Sequence, residues 1–330
     1  MKTGKLDPAA LRRLVLGRLG VRRDDVAVHA RLGEDAAAVR FGDEVCVLSS
    51  DPITGAGANA GWYAVHVACN DVAAMGARPV GVLATLLFPE SSAEEDVARV
   101  MDDIHRAAVE LGIEVLGGHT EVAPGLAAPI VSMTAVGRAR ADRLVTSGGA
   151  RPGDAIVLTK AAALEGTAIL ATDFAHLLSD RLDAAALELA RGFASRLSVV
   201  PEGLLAAELG AHALHDPTEG GVLGALWELA EASGTGYVVD AALVPVLDET
   251  RSICDALGAD PLRLISSGAL LIVCPDAERM IAGLAERGIP AARIGEVVEH
   301  GYTLLIDGER REVGPVVRDE LWRIIEEHGA

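Results

Sequence analysis

Asp71 places a charge where the surrounding sequence leaves no room for one. The segment from Gly61 to Ala77 reads WYAVHVACNDVAAMGA after its leading glycine, and Asp71 is its only charged residue. Its other strongly polar side chains are His66 and Asn70. A surface helix carries a charged face, and this segment has none, so it is predicted to form a helix buried nearly all round. Asn and Asp are poor residues for a helix interior, and a buried unpaired carboxylate costs several kcal/mol. Asp71 therefore needs a cation, a metal ion or a set of donors, or else it caps a neighbouring loop within a buried polar network.

Two further acids stand beside small residues. Gly33-Glu34-Asp35 precedes Ala36–Ala38, where small side chains permit close approach by a ligand. Asp51 follows Ser49 and Ser50 at the end of an apolar strand that Pro52 stops. Each alone is ordinary turn chemistry. Asp35, Asp51 and Asp71 brought together would repel one another, and a hard cation such as Mg2+, which prefers oxygen ligands, would resolve that conflict.

Two glycine pairs add candidates. Gly117-Gly118-His119-Thr120-Glu121 closes a short predicted strand, where paired glycines let the backbone approach a ligand and the side chains can reach phosphate or metal. In His215-Asp216-Pro217-Thr218-Glu219-Gly220-Gly221, Asp216 and Glu219 are spaced as a capping box with Pro217 at the first helical position. The same helix start could instead hold an anion, since a Gly-Gly pair weakens the first turn and helix N-termini attract negative charge. Lys160, ahead of Glu165-Gly166-Thr167, is either a phosphate contact or a solvated loop lysine. Gly55-Ala-Gly57-Ala-Asn-Ala-Gly61 misses the dinucleotide fingerprint by one residue, and there is no G-x-x-x-x-G-K-[ST], H-E-x-x-H or G-x-S-x-G.

The elements that must position these residues are mixed. Asp7-Pro8 starts a helix to about Leu19, and strands are predicted at Val26–Ala30, Ala36–Phe41 and Glu44–Ser49. After the helix Gly61–Ala77 come a strand Pro79–Phe88, a helix Ser92–Leu111 opened by a Ser91/Glu94 capping box, and strands Glu114–Leu116 and Ile130–Val136. A second half begins near Arg151-Pro152-Gly153-Asp154 with the strand Ala155–Thr159. Helices are predicted at Glu165–Leu178, Ala184–Ser195, Glu202–Leu209, after Asp216-Pro217, at Ala277–Arg287 and at Val316–Glu327, with strands Ala269–Val273 and Arg293–Val298. Strands and helices without regular alternation imply two α+β domains, 1–150 and 151–330.

Composition narrows the function. The 330 residues carry 48 acidic and 29 basic side chains, a net charge of −19, which argues against binding nucleic acid through its phosphates. Only 3% of residues are aromatic, so base-stacking platforms are not expected. Cys46, Cys69, Cys254 and Cys274 are far apart, which fits a reducing cytoplasm. No apolar stretch reaches the ~18 residues of a membrane span, and no signal core opens the chain. A cytoplasmic protein with no membrane partner is expected.

GEDAA (33–37), SSDPITG (49–55), NDVAAMGARP (70–79), GGHTEV (117–122) and HDPTEGG (215–221) form an ordered set. The set resembles the superfamily of aminoimidazole ribonucleotide synthetase, thiamine-monophosphate kinase, selenophosphate synthetase and the hydrogenase-maturation protein HypE, from about Gly4 to Val298. Within it the chain is most similar to the HypE-like group, often labelled AIR synthase-related, which Ser266-Ser267-Gly268 and Ile294-Gly295-Glu296-Val297 also fit. The resemblance implies a two-domain PurM-like α+β fold. Its N-terminal sheet would form a shared barrel in a homodimer, and its C-terminal domain would be an α/β-sandwich. It implies ATP and Mg2+ as cofactors in a cleft between the domains. Carried over by motif, Asp35, Asp51 and Asp71 would hold the metal, with Asn70 assisting, and Gly117, Gly118 and Thr120 would lie beside the phosphates. Asp216, Thr218, Gly220 and Gly221 would line the cleft, and Lys5, in the N-terminal segment Met1–Leu6, would close over the triphosphate.

Two departures bear on activity. The family usually has Asp or Glu after the Gly-Gly pair, and His119 here is a poor Mg2+ ligand, leaving that position to phosphate or the metal role to Glu121. HypE carries its substrate on a C-terminal cysteine, whereas this sequence ends Glu326-Glu327-His328-Gly329-Ala330. A separate small-molecule or carried-group substrate is therefore expected, activated through an amide- or carbonyl-type oxygen. A small-molecule kinase resembling thiamine-monophosphate kinase and a non-catalytic nucleotide-binding partner protein are the alternatives.

Overall fold

The computed structural model describes residues 3–53 and 58–328. Thr54 and Gly55 of SSDPITG, Gly55 and Gly57 of the near-miss fingerprint, Met1 and Lys2 of the N-terminal segment, and Gly329-Ala330 lie outside the described residues.

The first half runs α1 (Pro8–Leu11), β1 (Val26–Val28), β2 (Ala37–Phe41), β3 (Glu44–Ile53), α2 (Ala60–Ala74), β4 (Arg78–Phe88), α3 (Glu94–Leu111), β5 (Glu114–Val122) and β6 (Ile130–Arg140). The second begins with β7 (Ala155–Thr159), α4 (Leu164–Asp173), α5 (Ala175–Leu178), α6 (Ala184–Arg191), α7 (Val200–Leu209), β8 (Ala213–His215) and α8 (Gly221–Ser233). It ends with β9 (Gly236–Asp240), α9 (Asp248–Leu257), β10 (Leu271–Cys274), α10 (Ala277–Glu286), β11 (Ala291–Val298), β12 (Tyr302–Ile306), β13 (Glu309–Glu312) and α11 (Glu320–His328).

Two sheets result. The first has the order β1-β2-β3-β6-β4-β5, antiparallel except for β4 and β5, which α3 joins as a parallel crossover. The second has the order β13-β12-β9-β11-β7-β10-β8. Helix α2 packs on β3 and β6, beside α3, and meets α7 of the second half. Every residue from Gly61 to Ala74 is buried, as an unbroken apolar surface requires. The largest apolar core joins both halves, with Val47 and Met133 in the same cluster as Leu170, Leu197 and Ile324. The opposite face of the first sheet is open, exposing Val80 and Leu83 of β4 and Leu116 of β5. Among the described residues no helix is long and apolar enough to cross a membrane.

Several local expectations are corrected. The first helix becomes π-helical at Arg12 and ends at Leu16 rather than Leu19. Ser91 and Glu94 are not the cap of α3; Ala93 is, with its N–H donating to Asp96 Oδ2 at 2.9 Å. Asp216 and Glu219 form no capping box, because α8 starts only at Gly221. The strand expected to end at Leu116 continues to Val122 and takes Gly117–Glu121 into the sheet edge. The final helix starts at Glu320 rather than Val316. Strands β8, β9, β12 and β13 and helix α9 had no counterpart among the predicted elements.

Candidate functional site

Four separate elements deliver acids to one cavity of 620 Å³ between the two halves. Asp35 comes from the turn before β2, Asp51 from the end of β3, Asp71 from the middle of α2, and Asp216 from the residue after β8. Lys5, Thr218 and Glu219 also line it. The resemblance had named these positions apart from Glu219, and the fold brings them together.

Their hydrogen bonding is incomplete. Ser49 Oγ lies 2.9 Å from Asp51 Oδ2 and also touches Asp71 Oδ2. One hydroxyl proton cannot serve two carboxylates at once. Both carboxylate oxygens of Asp216, and Asp35 Oδ2, are buried without a partner. Burial pushes the Asp71 carboxyl well above the usual range, and Asp216, Asp51 and Asp35 add to it. Burial, with Asp35 adding to it, pushes Asp216 up to about 7 despite the opposing pull of His215. Asp35 is likewise raised by burial, against the pull of His215.

His215 and Glu228 were given no role from sequence, and they set the charge at one side of this cluster. His215 Nδ1 pairs with Asp35 Oδ1, and its Nε2 lies 3.2 Å from Glu228 Oε2. Burial alone would lower the imidazole's pKa, but the two carboxylates raise it to about 10, so the ring is cationic at neutral pH. Glu228 is held at about 2; burial opposes that, while Lys5 and His215 favour its charge. Lys5 Nζ stands 3.4 Å from Glu228 Oε1 and 3.3 Å from Thr218 Oγ1, and the Lys5 N–H donates to Glu219 Oε1 at 2.6 Å.

Other expected site residues lie elsewhere. Asn70 faces away from the cavity: its Nδ2 donates to Leu197 O, and its Oδ1 accepts from the Val199 N–H, both at 2.8 Å. Gly117, Gly118, His119, Thr120 and Glu121 sit on the exposed edge strand β5, outside the cavity lining. Gly118 is needed for packing there, since a Cβ would collide with the Ala84 carbonyl of β4. His119 Nε2 is 3.1 Å from Glu121 Oε2, both exposed. Gly220 and Gly221 do not line the cavity. The Gly220 N–H at the start of α8 donates to Asp319 Oδ2 at 2.6 Å, so the protein's own carboxylate takes the anion position suggested for a phosphate. Lys160 is neither solvated nor open to phosphate: its side chain is only 10% exposed and lies 2.8 Å from Glu202 Oε1.

Sequence reasoning also missed Glu165, Ser267 and Asp319, all buried and all lining the cavity. Glu165 and Glu228 each stand among apolar residues of a helix, but each helix carries a second acid, Asp173 in α4 and Glu231 in α8, so the signal is weaker than that of Asp71.

Among the described residues, no three His, Cys, Asp or Glu side chains are arranged as a ready-made metal cage. The donors nevertheless suit a hard cation. They are all oxygens, several are buried without partners, and Mg2+ commonly takes only one or two carboxylates and completes its shell with water and substrate phosphates.

An acid-lined cavity between a six-stranded and a seven-stranded sheet is the plan of a PurM-like protein. The sequence matches the AIR synthase related protein family, its N-terminal domain over residues 33–139 and its C-terminal domain over residues 151–307, and the chain belongs to that family. It is 34% identical over 258 residues to the carbamoyl dehydratase HypE of Cupriavidus necator, covering 76% of this chain and 71% of that protein. It is 28% identical over 311 residues to a putative hydrogenase expression/formation protein of Methanocaldococcus jannaschii, covering 91% and 88%. A crystal structure of the hydrogenase maturation protein HypE in complex with ATP superposes with a TM-score of 0.72 at 26% identity, covering 97% of this chain and 98% of that one. The resemblance drawn from the motifs is borne out.

Proposed function

We propose that this chain is an ATP- and Mg2+-dependent enzyme of the HypE-like group, which phosphorylates an amide- or carbonyl-type oxygen of a separate small molecule or carried group. The observation that carries this reading is the set of buried acids Asp35, Asp51, Asp71 and Asp216, with unpartnered oxygens, around a cavity large enough for a ligand. Such an arrangement is unfavourable until a cation enters.

Mg2+ with ATP would supply the phosphoryl group and neutralise charge developing during its transfer. Asp51, Asp71 and Asp216 would hold the metal, joined by Asp35 through its free oxygen. His215 orients Asp35 and favours its charged form against the effect of burial. Lys5, already between Thr218 and Glu228, would turn to the phosphates. None of the four cysteines lines the cavity, and burial raises all four thiols, Cys69 and Cys254 to about 12 and Cys274 to about 11. The acceptor therefore comes from outside these side chains.

Residues 1–150 would form the metal-binding and dimerising domain and 151–330 the second domain. The open face at Val80, Leu83 and Leu116 supports a homodimer with a shared barrel. In that dimer Gly117, Gly118, His119, Thr120 and Glu121 would reach the nucleotide from the second copy, which accounts for their exposure here. ATP hydrolysis with and without Mg2+, in the wild type and in Asp71→Asn, tests the assignment. Turnover that needs Mg2+ and is lost in the variant is expected; equal turnover in all conditions refutes it. Phosphorus-31 spectra separate free phosphate, expected here, from the phosphoester a kinase would release.

A further inference from the structure

The cavity has two acidic poles, and the metal reading uses only one. Asp71 is raised first by its burial and then by Asp216, Asp51 and Asp35. Glu165 answers to a different set: burial raises its carboxyl, the adjacent Ser267 hydroxyl and N–H pull the other way, and Asp319 and Glu219 add to the rise. The cavity's two cationic side chains, Lys5 and His215, both pair with Glu228.

At the second pole Glu165 and Ser267 stand side by side, and each keeps a buried polar atom with no hydrogen bond of ordinary geometry. These atoms are Glu165 Oε2 and Ser267 Oγ, on residues 3% and 0% exposed, and both residues line the cavity. Asp319 beside them is fully engaged, its Oδ2 by the Gly220 N–H and its Oδ1 by the Leu321 N–H. It remains as a fixed acidic neighbour. The walls between are apolar: Ile169, Ile265, Leu321 and Trp322 line the same cavity. A native fold leaves few buried polar atoms unpaired without a reason. A carboxyl and a hydroxyl at an apolar recess, with further acids nearby and no free cation among the described lining residues, suit a ligand that brings N–H donors and positive charge.

We infer that Glu165 and Ser267 form the subsite for the phosphate-accepting substrate, and that this substrate carries a protonated amine on a small apolar frame. Its role as an acceptor site rests on the proposed function; its preference for a cation does not. Glu165 accepts from the ammonium group, Ser267 takes a second N–H, and Trp322 with Ile169 covers the apolar frame. The cation thereby orients the molecule towards the aspartate pole.

Benzylamine and its neutral counterpart benzyl alcohol test this on the full chain, by calorimetry or ligand-observed NMR without nucleotide. Benzylamine should bind wild type at least about tenfold more tightly than benzyl alcohol, the scale of one hydrogen bond to a charged group. Glu165→Gln should remove most of that difference while keeping the affinity for benzyl alcohol. Equal binding of the two probes by wild type, or an unchanged amine preference in Glu165→Gln, overturns the inference. Should Glu165→Gln not fold, Ser267→Ala reads the same contact, with a partial loss expected and no loss refuting it. Failure of Mg2+ with a non-hydrolysable ATP analogue to bind wild type would refute the proposed function, while the comparison of the two probes still decides the subsite.

Discussion

Asn70 and Asp71 are neighbours on one buried helix and have opposite circumstances. Asn70 spends both ends of its amide on the backbone at Leu197 and Val199. The same loop is held from the second half by Lys160, whose Nζ donates to Arg196 O at 2.9 Å and Ser198 O at 2.6 Å while pairing with Glu202. Every polar group in that cluster has a match, and the result is a staple between the halves. Asp71, one residue on, shares a single hydroxyl with Asp51 and faces further acids. Satisfied buried polarity holds a fold together; unsatisfied buried polarity marks where something else is meant to bind.

Substitutions on the two sides of this contrast should behave differently. Lys160→Met strands the Glu202 carboxylate and should cost about 3–5 kcal/mol of stability in denaturant unfolding. Asn70→Ala, leaving two buried backbone groups unpaired, should cost about 2–4 kcal/mol, with metal-nucleotide affinity unchanged in the folded fraction. Asp71→Asn should do the reverse, with ATP turnover down about a hundredfold and thermal stability raised through lost repulsion. A destabilised Asp71→Asn, or an Asn70→Ala that loses nucleotide affinity alone, would break the contrast.

Glu165 offers a finer test through pH. Burial raises its carboxyl from 4.5 to about 7, so between those values the folded chain keeps a proton that the unfolded chain has lost. Its contribution to stability is full below pH 4.5 and is lost as the pH rises through 7. Wild type should lose on the order of 2–3 kcal/mol relative to Glu165→Gln across that window, measured by parallel urea titrations. The smallest effect belongs to the surface: His119→Ala, breaking an exposed pair with Glu121, should change stability by less than about 0.5 kcal/mol.

Much of this was legible from residue type and spacing. The helix around Asp71 followed from its missing charged face, and Ala155–Thr159 from an apolar run after a turn. Strand β13, the charged edge Glu-Arg-Arg-Glu, carries no apolar alternation and so gave no signal. Asn70 shows the limit for sites: its sequence neighbourhood is that of Asp71, and only the approach of Leu197 and Val199, far along the chain, separates their roles. Asp319 was invisible for a similar reason, since its partner Gly220 lies on the other side of five strands in sequence order. Glu165 and Glu228 escaped the criterion that singled out Asp71, because Asp173 in α4 and Glu231 in α8 give each of those helices a second acid.

Asp319 has one more consequence. By seating its carboxylate on the first turn of α8, the molecule occupies its own best vacancy for a free anion. Orthophosphate or sulfate arriving alone meets a taken seat and, beyond it, a ring of like charge. Under the proposed function, an anion gains entry only in company, as a chelate whose metal answers the aspartates. On that reading the fold would act as a customs gate, admitting nucleotide with its cation and turning away bare anions.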